Sequence, residues 1–309
     1  MSQTLAFVFP GQGSQQLGML SALAAEYPVI EQTFAEASDA LGFDLWAMCQ
    51  DGPEEALNST ENTQPALLTA GVALWRLWQE KGGATPVIMS GHSLGEYTAL
   101  VCAGALSLAD GVKLVKLRGE AMQAAVPAGT GAMAAILGLA DDAIEAACQE
   151  AAQGAVVSPV NYNCPGQTVI AGEKAAVERA IEACKAAGAK RAVPLPVSVP
   201  SHCALMKPAA ERLEAALANI ELNMPSIPVV QNVSAEVAAD LEALKQNLVA
   251  QLYSPVLWTR CVQRMASESV NTLVECGPGK VLTGLNKKID RSLTGVSISE
   301  PAGLESALG

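Results

Sequence analysis

The apolar positions of the chain fall into short continuous runs and longer stretches with helical spacing. Residues 5–9 (LAFVF) and 86–90 (PVIMS) are continuous apolar runs, a pattern typical of buried parallel strands. Residues 64–81, 94–103 and about 108–125 repeat apolar positions at helical intervals, so we predict helices there. Strands that alternate with helices indicate an α/β fold with a parallel sheet covered on both faces.

The middle of the chain has a different order of predicted elements. Its predicted strands lie at 131–139, 155–161, 167–171 and 192–199, and its predicted helices lie at 141–153 and 173–187. The order β-α-β-β-α-β is typical of a ferredoxin-like α+β unit. We therefore interpret residues 126–198 as a small ferredoxin-like domain inserted into a larger one.

The α/β pattern resumes after the inserted segment. Residues 204–218 predict a helix, and 229–233 and 272–276 are candidate strands. Residues 1–125 and 199–309 are therefore expected to form one core around the parallel sheet.

Composition and charge narrow the classes of function. The formal net charge of −12 argues against nucleic acid and against an anionic membrane surface, whose phosphates would repel the chain. The N-terminal residues lack the basic segment of a signal peptide, and no apolar run reaches the roughly 18 residues that a membrane span needs. The eight cysteines form no C-x-x-C pair and the chain has two histidines, so no zinc site or other metal centre is predicted. We expect a cytoplasmic protein that binds neither nucleic acid nor membrane.

The sequence GHSLG at 91–95 fits a sharp turn from a strand into a helix. Gly91 and Gly95 leave room where strand and helix pack closely, and the turn exposes the hydroxyl of Ser93. A serine nucleophile needs a base within hydrogen-bond reach. His92 is adjacent to Ser93 and should point elsewhere, so a histidine base would have to be His202. The motif alone leaves open an ordinary glycine-rich corner without chemistry.

Arg118 lies on the apolar face of the helix predicted at 108–125. It follows Val115 by three positions and precedes Met122 by four, so the three side chains share one face. An arginine is costly to bury without a partner, and its planar guanidinium suits a carboxylate. The spacing leaves two interpretations open. One is a structural role, as a salt bridge with an internal Asp or Glu or as a side chain whose charged end reaches solvent, and the other is a receptor for a substrate carboxylate.

A set of segments, in this order, resembles the malonyl-CoA:acyl-carrier-protein transacylases of fatty-acid synthesis. The segments are FVFPGQGSQ at 7–15, TQPALL at 63–68, GHSLGEY at 91–97, the helix of Arg118, NYNCPGQ at 161–167, VPSHCALM at 199–206 and ECGPGKVL at 275–282. The resemblance covers nearly the whole chain. It implies an α/β-hydrolase-like core with a ferredoxin-like insertion, in agreement with the predicted order of elements.

The resemblance also implies roles for individual residues. Ser93 would attack the malonyl thioester of coenzyme A, with His202 as its base. The backbone N–H groups of Gln12 and Leu94 would hold the tetrahedral oxyanion. The backbone carbonyl of Gln251 would orient the second ring nitrogen of the base. The malonyl group would then pass to the phosphopantetheine thiol of acyl carrier protein in a ping-pong scheme.

For Arg118 the resemblance implies binding of the malonyl carboxylate, which favours malonyl over acetyl or longer neutral acyl groups. Asn161 and Asn163 are implied to line the cleft, although their position near Pro165 and Gly166 also fits a turn. Malonyl-CoA is implied as a substrate and acyl carrier protein as a partner, with no cofactor and no metal.

Two other functions use the same motifs. A thioesterase would employ Ser93 and His202 to release a free acid, and a non-catalytic acyl-binding subunit would not need the hydroxyl. Acyl carrier proteins are acidic, so docking on a chain of charge −12 calls for a local basic patch. The sequence does not choose among the candidates, which are Lys190, Arg191, Lys207, Lys287 and Lys288.

Overall fold

The computed structural model describes residues 3–197 and 199–309. Outside the described residues lie Met1, Ser2 and Ser198, the last of which is the predicted C-terminal end of the inserted domain. The strands in chain order are β1 (Leu5–Phe9), β2 (Ile88–Gly91), β3 (Gly131–Leu137), β4 (Val157–Cys164), β5 (Gln167–Glu173), β6 (Arg191–Pro194), β7 (Val229–Val230), β8 (Thr272–Glu275) and β9 (Thr294–Ser297). The helices are α1 (Ser21–Glu26), α2 (Val29–Leu41), α3 (Leu45–Asp51), α4 (Glu54–Asn58), α5 (Thr60–Glu80), α6 (Leu94–Cys102), α7 (Leu108–Ala124), α8 (Asp141–Ala152), α9 (Lys174–Ala186), α10 (Lys207–Leu217), α11 (Leu241–Gln251), α12 (Trp258–Ala266), α13 (Val281–Ile289) and α14 (Pro301–Leu308), with a 3-10 helix at Ala204–Met206. Among the described residues, no helix is both long and apolar enough to cross a membrane.

The core is built on a parallel sheet in the order β7-β2-β1-β8-β9. Its central strand β1 is apolar throughout because both faces of the sheet are covered. Phe7 and Phe9 pack into one side-chain cluster with α5, α6 and α7, while Ala6 and Val8 pack into another with α12 and α13. The strand predicted at residues 5–9 and the predicted α/β fold with a parallel sheet are therefore confirmed.

A separate antiparallel sheet has the order β4-β5-β3-β6, and α8 and α9 pack on one of its faces. The predicted order β-α-β-β-α-β is confirmed. On the opposite face, Met133, Val160 and Val169 pack with Cys203, which belongs to the segment after β6. This sheet therefore lies against the segment that carries His202.

The end of β4 differs from the prediction. The strand was expected to end at 161, with Asn161 and Asn163 close to a turn, but both residues lie within β4. The reason is a contact with the core, because the Tyr162 N–H donates to the Val256 oxygen over 3.0 Å. The turn itself is shorter, and Gly166 supplies its left-handed residue with φ 76°.

Two other strands end well before their predicted limits, and one strand was not predicted. β6 stops at Pro194 instead of 199, since Pro194 and Pro196 have no N–H for a sheet ladder. β7 has two residues instead of five because the chain turns back at Gln231, whose oxygen accepts from the Ala235 N–H over 2.8 Å. β9 was not predicted, and this partly exposed strand at the sheet edge has little apolar pattern.

Candidate active site

β2 passes into α6 through a tight turn that contains Ser93. This residue has φ 51° and ψ −108°, a strained conformation for a residue with a side chain. A Cβ on Gly91 would lie 1.9 Å from the carbonyl carbon of Gly95, and a Cβ on Gly95 would lie 2.0 Å from the Phe9 oxygen. Strand and helix therefore pack backbone against backbone, as the glycines of the motif predicted.

His202 reaches Ser93 from the other side of the site. Its Nε2 lies 2.8 Å from Ser93 Oγ, and its Nδ1 lies 2.7 Å from the backbone oxygen of Gln251. Because a backbone carbonyl only accepts, Nδ1 carries the proton and Nε2 accepts the hydroxyl proton of Ser93. Burial, and after it the charge of Arg118, lowers the pKa of His202 to about 3. The imidazole is therefore neutral near pH 7 and able to accept a proton.

His92 points away from Ser93, as expected for an adjacent residue. Its Nε2 donates to Asn163 Oδ1 over 2.8 Å, and its ring lies 5.6 Å from the ring of Trp258. Burial lowers the pKa of His92. Asn163 is therefore a buried partner of His92. It is not among the residues that line the cavity beside Ser93, although the resemblance implied that it would be.

Arg118 is buried, with 1% of its surface exposed, and its guanidinium contacts Ser93. Nη1 donates to Gln64 Oε1 over 2.8 Å, and Nη2 donates to Gln251 Oε1 over 3.0 Å and to Ser93 Oγ over 3.1 Å. In the part of the chain that the structure describes, Nε has no hydrogen-bond partner. Because these three acceptors are all uncharged and the side chain is buried, the guanidinium forms no direct salt bridge with the described residues and does not reach solvent, the two forms of the structural interpretation.

A cavity of about 270 Å³ brings most of the predicted residues together. Its wall includes Gln12, Ser93, Leu94, Arg118, Asn161 and His202. Met133 of the antiparallel sheet and the segment at 195–197 also line it. The cavity therefore lies between the two sheets, with the hydroxyl of Ser93 at its wall.

Gln12 and Leu94, which the resemblance implies as oxyanion donors, both line the cavity beside Ser93. Gln12 is in the loop after β1, and Leu94 is the first residue of α6, where backbone N–H groups have no acceptor within the helix. Asn161 Oδ1 is buried and has no hydrogen-bond partner among residues 3–197 and 199–309. Binding of an oxyanion and of substrate at these positions stays a prediction.

Two amide side chains beneath the Ser93 turn were not predicted to hold it. Asn232 Oδ1 accepts from the Ser93 N–H over 2.7 Å, and Asn232 Nδ2 donates to the Gly91 oxygen over 2.7 Å. Gln251 Nε2 donates to the Ser93 oxygen over 3.0 Å. The backbone is thus held on both sides of the strained serine.

Glu96 lies next to these amides and was also missed. Burial raises the pKa of its carboxyl to about 7, while hydrogen bonds from Asn232, Gln231 and Gln251 and the charge of Arg118 lower it. The sequence held one usable signal, because Glu96 is the single charged residue in the apolar stretch LGEYTALVCA. The reasoning applied to the arginine on an apolar face would have found it. The uncharged amides carry no such signal.

The cysteines and possible metal ligands add no second site. Cys203 follows His202, but its Sγ donates to the Pro200 oxygen over 3.1 Å, and burial raises its pKa to about 11. Within the described residues, no group of three or more His, Cys, Asp or Glu side chains could hold a metal ion. That the reaction uses no metal and no cofactor stays a prediction.

The sequence is similar to known acyl transferases over almost its full length. Residues 6–304 match the family model described as acyl transferase domain. A malonyl CoA-acyl carrier protein transacylase of Salmonella typhimurium is 62% identical over 303 residues, which cover 98% of each chain.

The structure is similar to solved structures over the same range. An acyl carrier protein S-malonyltransferase from Vibrio cholerae matches with a TM-score of 0.97 and 60% identity, covering 98% of this chain and 99% of that one. A second match has a TM-score of 0.98 and 60% identity over 99% of both chains, in a structure of a type II PKS acyl-carrier protein in complex with its malonyl-transacylase. The similarity therefore includes both the parallel and the antiparallel sheet.

Proposed function

The chain belongs to the acyl transferase domain family, and on this premise we propose that it transfers the malonyl group of malonyl-CoA to the phosphopantetheine thiol of acyl carrier protein. One observation carries the proposal. Ser93 Oγ lies 2.8 Å from His202 Nε2 and 3.1 Å from Arg118 Nη2, at the wall of one cavity. A base and a buried cation beside one hydroxyl suit an acyl group that carries its own carboxylate.

In the first step Ser93 becomes a malonyl ester. Its Oγ attacks the thioester carbonyl as the hydroxyl proton passes to Nε2 of His202. The N–H groups of Gln12 and Leu94 stabilise the oxyanion, and one such donor typically lowers the barrier by about 3 kcal/mol. The C–S bond then breaks, and the proton on Nε2 goes to the leaving thiolate of coenzyme A.

The second step reverses the first with another thiol. The phosphopantetheine thiol of acyl carrier protein gives its proton to His202 and attacks the malonyl ester. When the tetrahedral intermediate collapses, Ser93 leaves and regains a proton from the imidazole. The reaction is therefore ping-pong, and the carbonyl of Gln251 keeps the imidazole in the tautomer that both steps need.

Arg118 selects the acyl group. The malonyl carboxylate gives its guanidinium a charged acceptor, whereas the acceptors described within the protein are uncharged. An acetyl group would leave the same buried cation without an anion in direct contact. We therefore propose malonyl as the preferred substrate, with Asn161 at the cavity wall as a further contact.

The partners follow from the reaction. Malonyl-CoA is the donor and acyl carrier protein the acceptor, in support of which a similar transacylase was solved in complex with an acyl-carrier protein. The chemistry described needs no cofactor. We propose fatty-acid synthesis as the pathway and keep the cytoplasm, and the absence of nucleic-acid binding, as predictions from composition.

We also propose the finer description of the fold. The parallel-sheet core, formed by residues 1–125 and 199–309, is α/β-hydrolase-like. The unit at 126–198 is a ferredoxin-like insertion, which its strand order β4-β5-β3-β6 and its two helices support.

Intact-mass measurement tests the proposed function. Wild-type protein mixed with malonyl-CoA should gain the mass of one malonyl group and keep it until holo acyl carrier protein is added. Ser93→Ala should gain nothing. A wild type without the adduct would contradict malonyl transfer, and rapid loss of the adduct as free malonate without a thiol would indicate a thioesterase.

A further inference from the structure

Glu96 is a buried carboxylate that the reaction steps above do not use. It lies in the first turn of α6 and none of its surface is exposed. Oε2 accepts from the Asn232 N–H over 2.8 Å and from Gln251 Nε2 over 3.1 Å, and Oε1 accepts from Gln231 Nε2 over 3.1 Å. All three partners donate, which suits an ionised carboxylate, since a protonated acid or an amide would turn a donor toward them.

The side chain of Asn232 has its orientation set by the backbone of the turn. The Ser93 N–H can only donate, so Asn232 presents Oδ1 to it, and the Gly91 carbonyl can only accept, so it receives Nδ2. Glu96 also holds Asn232, because its carboxylate accepts from the backbone N–H of that residue. Displacement of the Glu96 carboxylate would therefore move the amide that supports the serine.

Gln251 connects the remaining groups of the site. Arg118 can only donate, so it donates to Gln251 Oε1. The Nε2 group of Gln251 then donates to the Ser93 oxygen and to Glu96. The backbone oxygen of the same residue accepts from Nδ1 of His202. One residue thus contacts the nucleophile's backbone, the base and the cation, and Glu96 is the charged group that holds its amide.

We propose that Glu96 is a positioning residue for the transfer reaction: through the amides of Gln251 and Asn232, its carboxylate keeps the nucleophile, the base and the arginine in one arrangement. This inference rests on the proposed function. The carboxylate also balances the buried charge of Arg118 without touching it, since the amide of Gln251 lies between them. The guanidinium therefore stays free to bind a carboxylate of the substrate.

The chain contains a matched control, Glu275. It is also fully buried, and its carboxylate also accepts three hydrogen bonds, from the Leu282 N–H at 3.0 Å and from the N–H and hydroxyl of Thr283 at 2.7 Å each. These donors belong to α13. Glu275→Gln therefore reports the effect of losing a buried carboxylate whose donors lie at the start of a helix and not beside Ser93.

The test compares malonyl and acetyl transfer rates in wild type, Glu96→Gln, Glu96→Asp and Glu275→Gln. We expect Glu96→Gln to lower kcat for malonyl transfer about 10- to 100-fold, the scale expected for misplaced reacting groups. The ratio of malonyl to acetyl transfer should fall about fivefold as Arg118 loses its fixed partner. Glu275→Gln should lower the melting temperature and keep the wild-type ratio. Because the ratio does not depend on the folded fraction, loss of stability alone cannot change it.

The outcomes separate this inference from the proposed function. If Glu96→Gln does not fold, Glu96→Asp carries the test, since it keeps an acceptor-only carboxylate that is one methylene shorter, and it should lower both kcat and the ratio. A folded Glu96 variant with wild-type kcat and ratio, beside a wild type that forms the malonyl adduct, overturns the positioning role alone. An equal fall of the ratio in Glu275→Gln overturns it as well. A wild type without the adduct overturns the proposed function and the positioning role together.

Discussion

The chain leaves the parallel sheet through two glycine-containing turns that each have a buried glutamate beside them. After β2, the turn at Ser93 leads into α6, and Glu96 accepts from the amides around the serine. After β8, the turn at 277–279 precedes α13, and Glu275 accepts from the first N–H groups of that helix. The two carboxylates are alike in burial and in the number of hydrogen bonds, but their partners differ.

The difference lies in how far each carboxylate reaches along the chain. Glu275 binds residues seven and eight positions ahead, so it stabilises its own strand–helix connection. Glu96 binds residues 136 and 155 positions ahead, and these residues contact the groups beside the cavity. A buried carboxylate is thus able to position a site when its partners, although not the carboxylate itself, contact the residues that react.

The largest effect that separates the two turns is expected at Ser93. Ser93→Ala should remove the malonyl-enzyme and lower transfer by about 10⁴- to 10⁶-fold, since the nucleophile is lost. Ser90→Ala in β2 is the control, because Ser90 Oγ donates to the Val230 oxygen of the neighbouring strand, over 2.9 Å. It should cost about 1 kcal/mol of stability and change the rate little. Steady-state transfer assays check both variants, and equal losses would mean that the turn's shape matters more than the Ser93 hydroxyl.

The base should come next in size. His202→Ala should lower transfer by about 10⁴-fold, because the Ser93 hydroxyl loses the ring nitrogen that accepts its proton. His92→Asn removes the chain's other imidazole, which contacts Asn163 instead, and should have a far smaller effect. Single-turnover acylation by malonyl-CoA measures both. Similar losses in the two variants would contradict the assignment of the base.

Arg118 gives a smaller effect that is specific to the acyl group. Arg118→Ala should weaken malonyl transfer by about 3 kcal/mol, roughly 100-fold, because the malonyl carboxylate loses its cation. Acetyl transfer should fall less, so the preference for malonyl declines. Arg118→Lys keeps the charge without the planar fork and should lie between. Competition between malonyl-CoA and acetyl-CoA checks this, and an unchanged preference would remove Arg118 from acyl selection.

Two glycine substitutions compare the turns directly. A Cβ on Gly95 would lie 2.0 Å from the Phe9 oxygen, so Gly95→Ala should cost about 3 kcal/mol and disturb the site. Gly279 has φ 75°, and a Cβ there would meet the Ser14 oxygen at 4.0 Å, an ordinary contact distance, so Gly279→Ala should cost the strain of that conformation, about 1 kcal/mol. Denaturant unfolding and transfer assays measure both. Equal destabilisation would mean that the two turns tolerate side chains alike.

The smallest expected effect is a change in the pKa of His202. Burial and the charge of Arg118 hold this pKa at about 3, below its ordinary 6.5, so the neutral base persists as the pH falls. Arg118→Ala removes the charge and should raise the pKa, which moves the acid-side loss of the neutral base to higher pH. NMR titration is direct because the chain has two histidines. An identical pKa in wild type and variant would show that burial acts alone.

Local features of the fold were predictable from spacing. The strand at 5–9 has the predicted limits, and α7 ends within one residue of its predicted end. Both depend on side chains a few positions apart, which the sequence displays directly. At β4 a distant segment decides the outcome, because the strand continues past 161 where it bonds to Val256. At β6 and β7 the cause is local, the prolines at 194 and 196 and the turn at Gln231.

The site divides in the same way. Ser93 followed from a five-residue motif, and His202 followed because the only other histidine is next to the serine. Arg118 was conspicuous because a charge on an apolar face is costly, and Glu96 carried the same signal unused. Gln251 entered only through the resemblance to a family, and the support that Asn232 gives the turn was not predicted.

By itself, the sequence determined the turn at Ser93, the burial of Arg118 and the alternation of strands and helices, because each depends on short-range pattern and on the cost of burying charge. Only the tertiary structure decided that Asn232 and Gln251 meet beneath that turn, 139 and 158 residues away along the chain. Uncharged amides have no periodic pattern and no large burial penalty once hydrogen-bonded, so their function depends on their partners. Those partners come together only when the parallel sheet and its helices have folded.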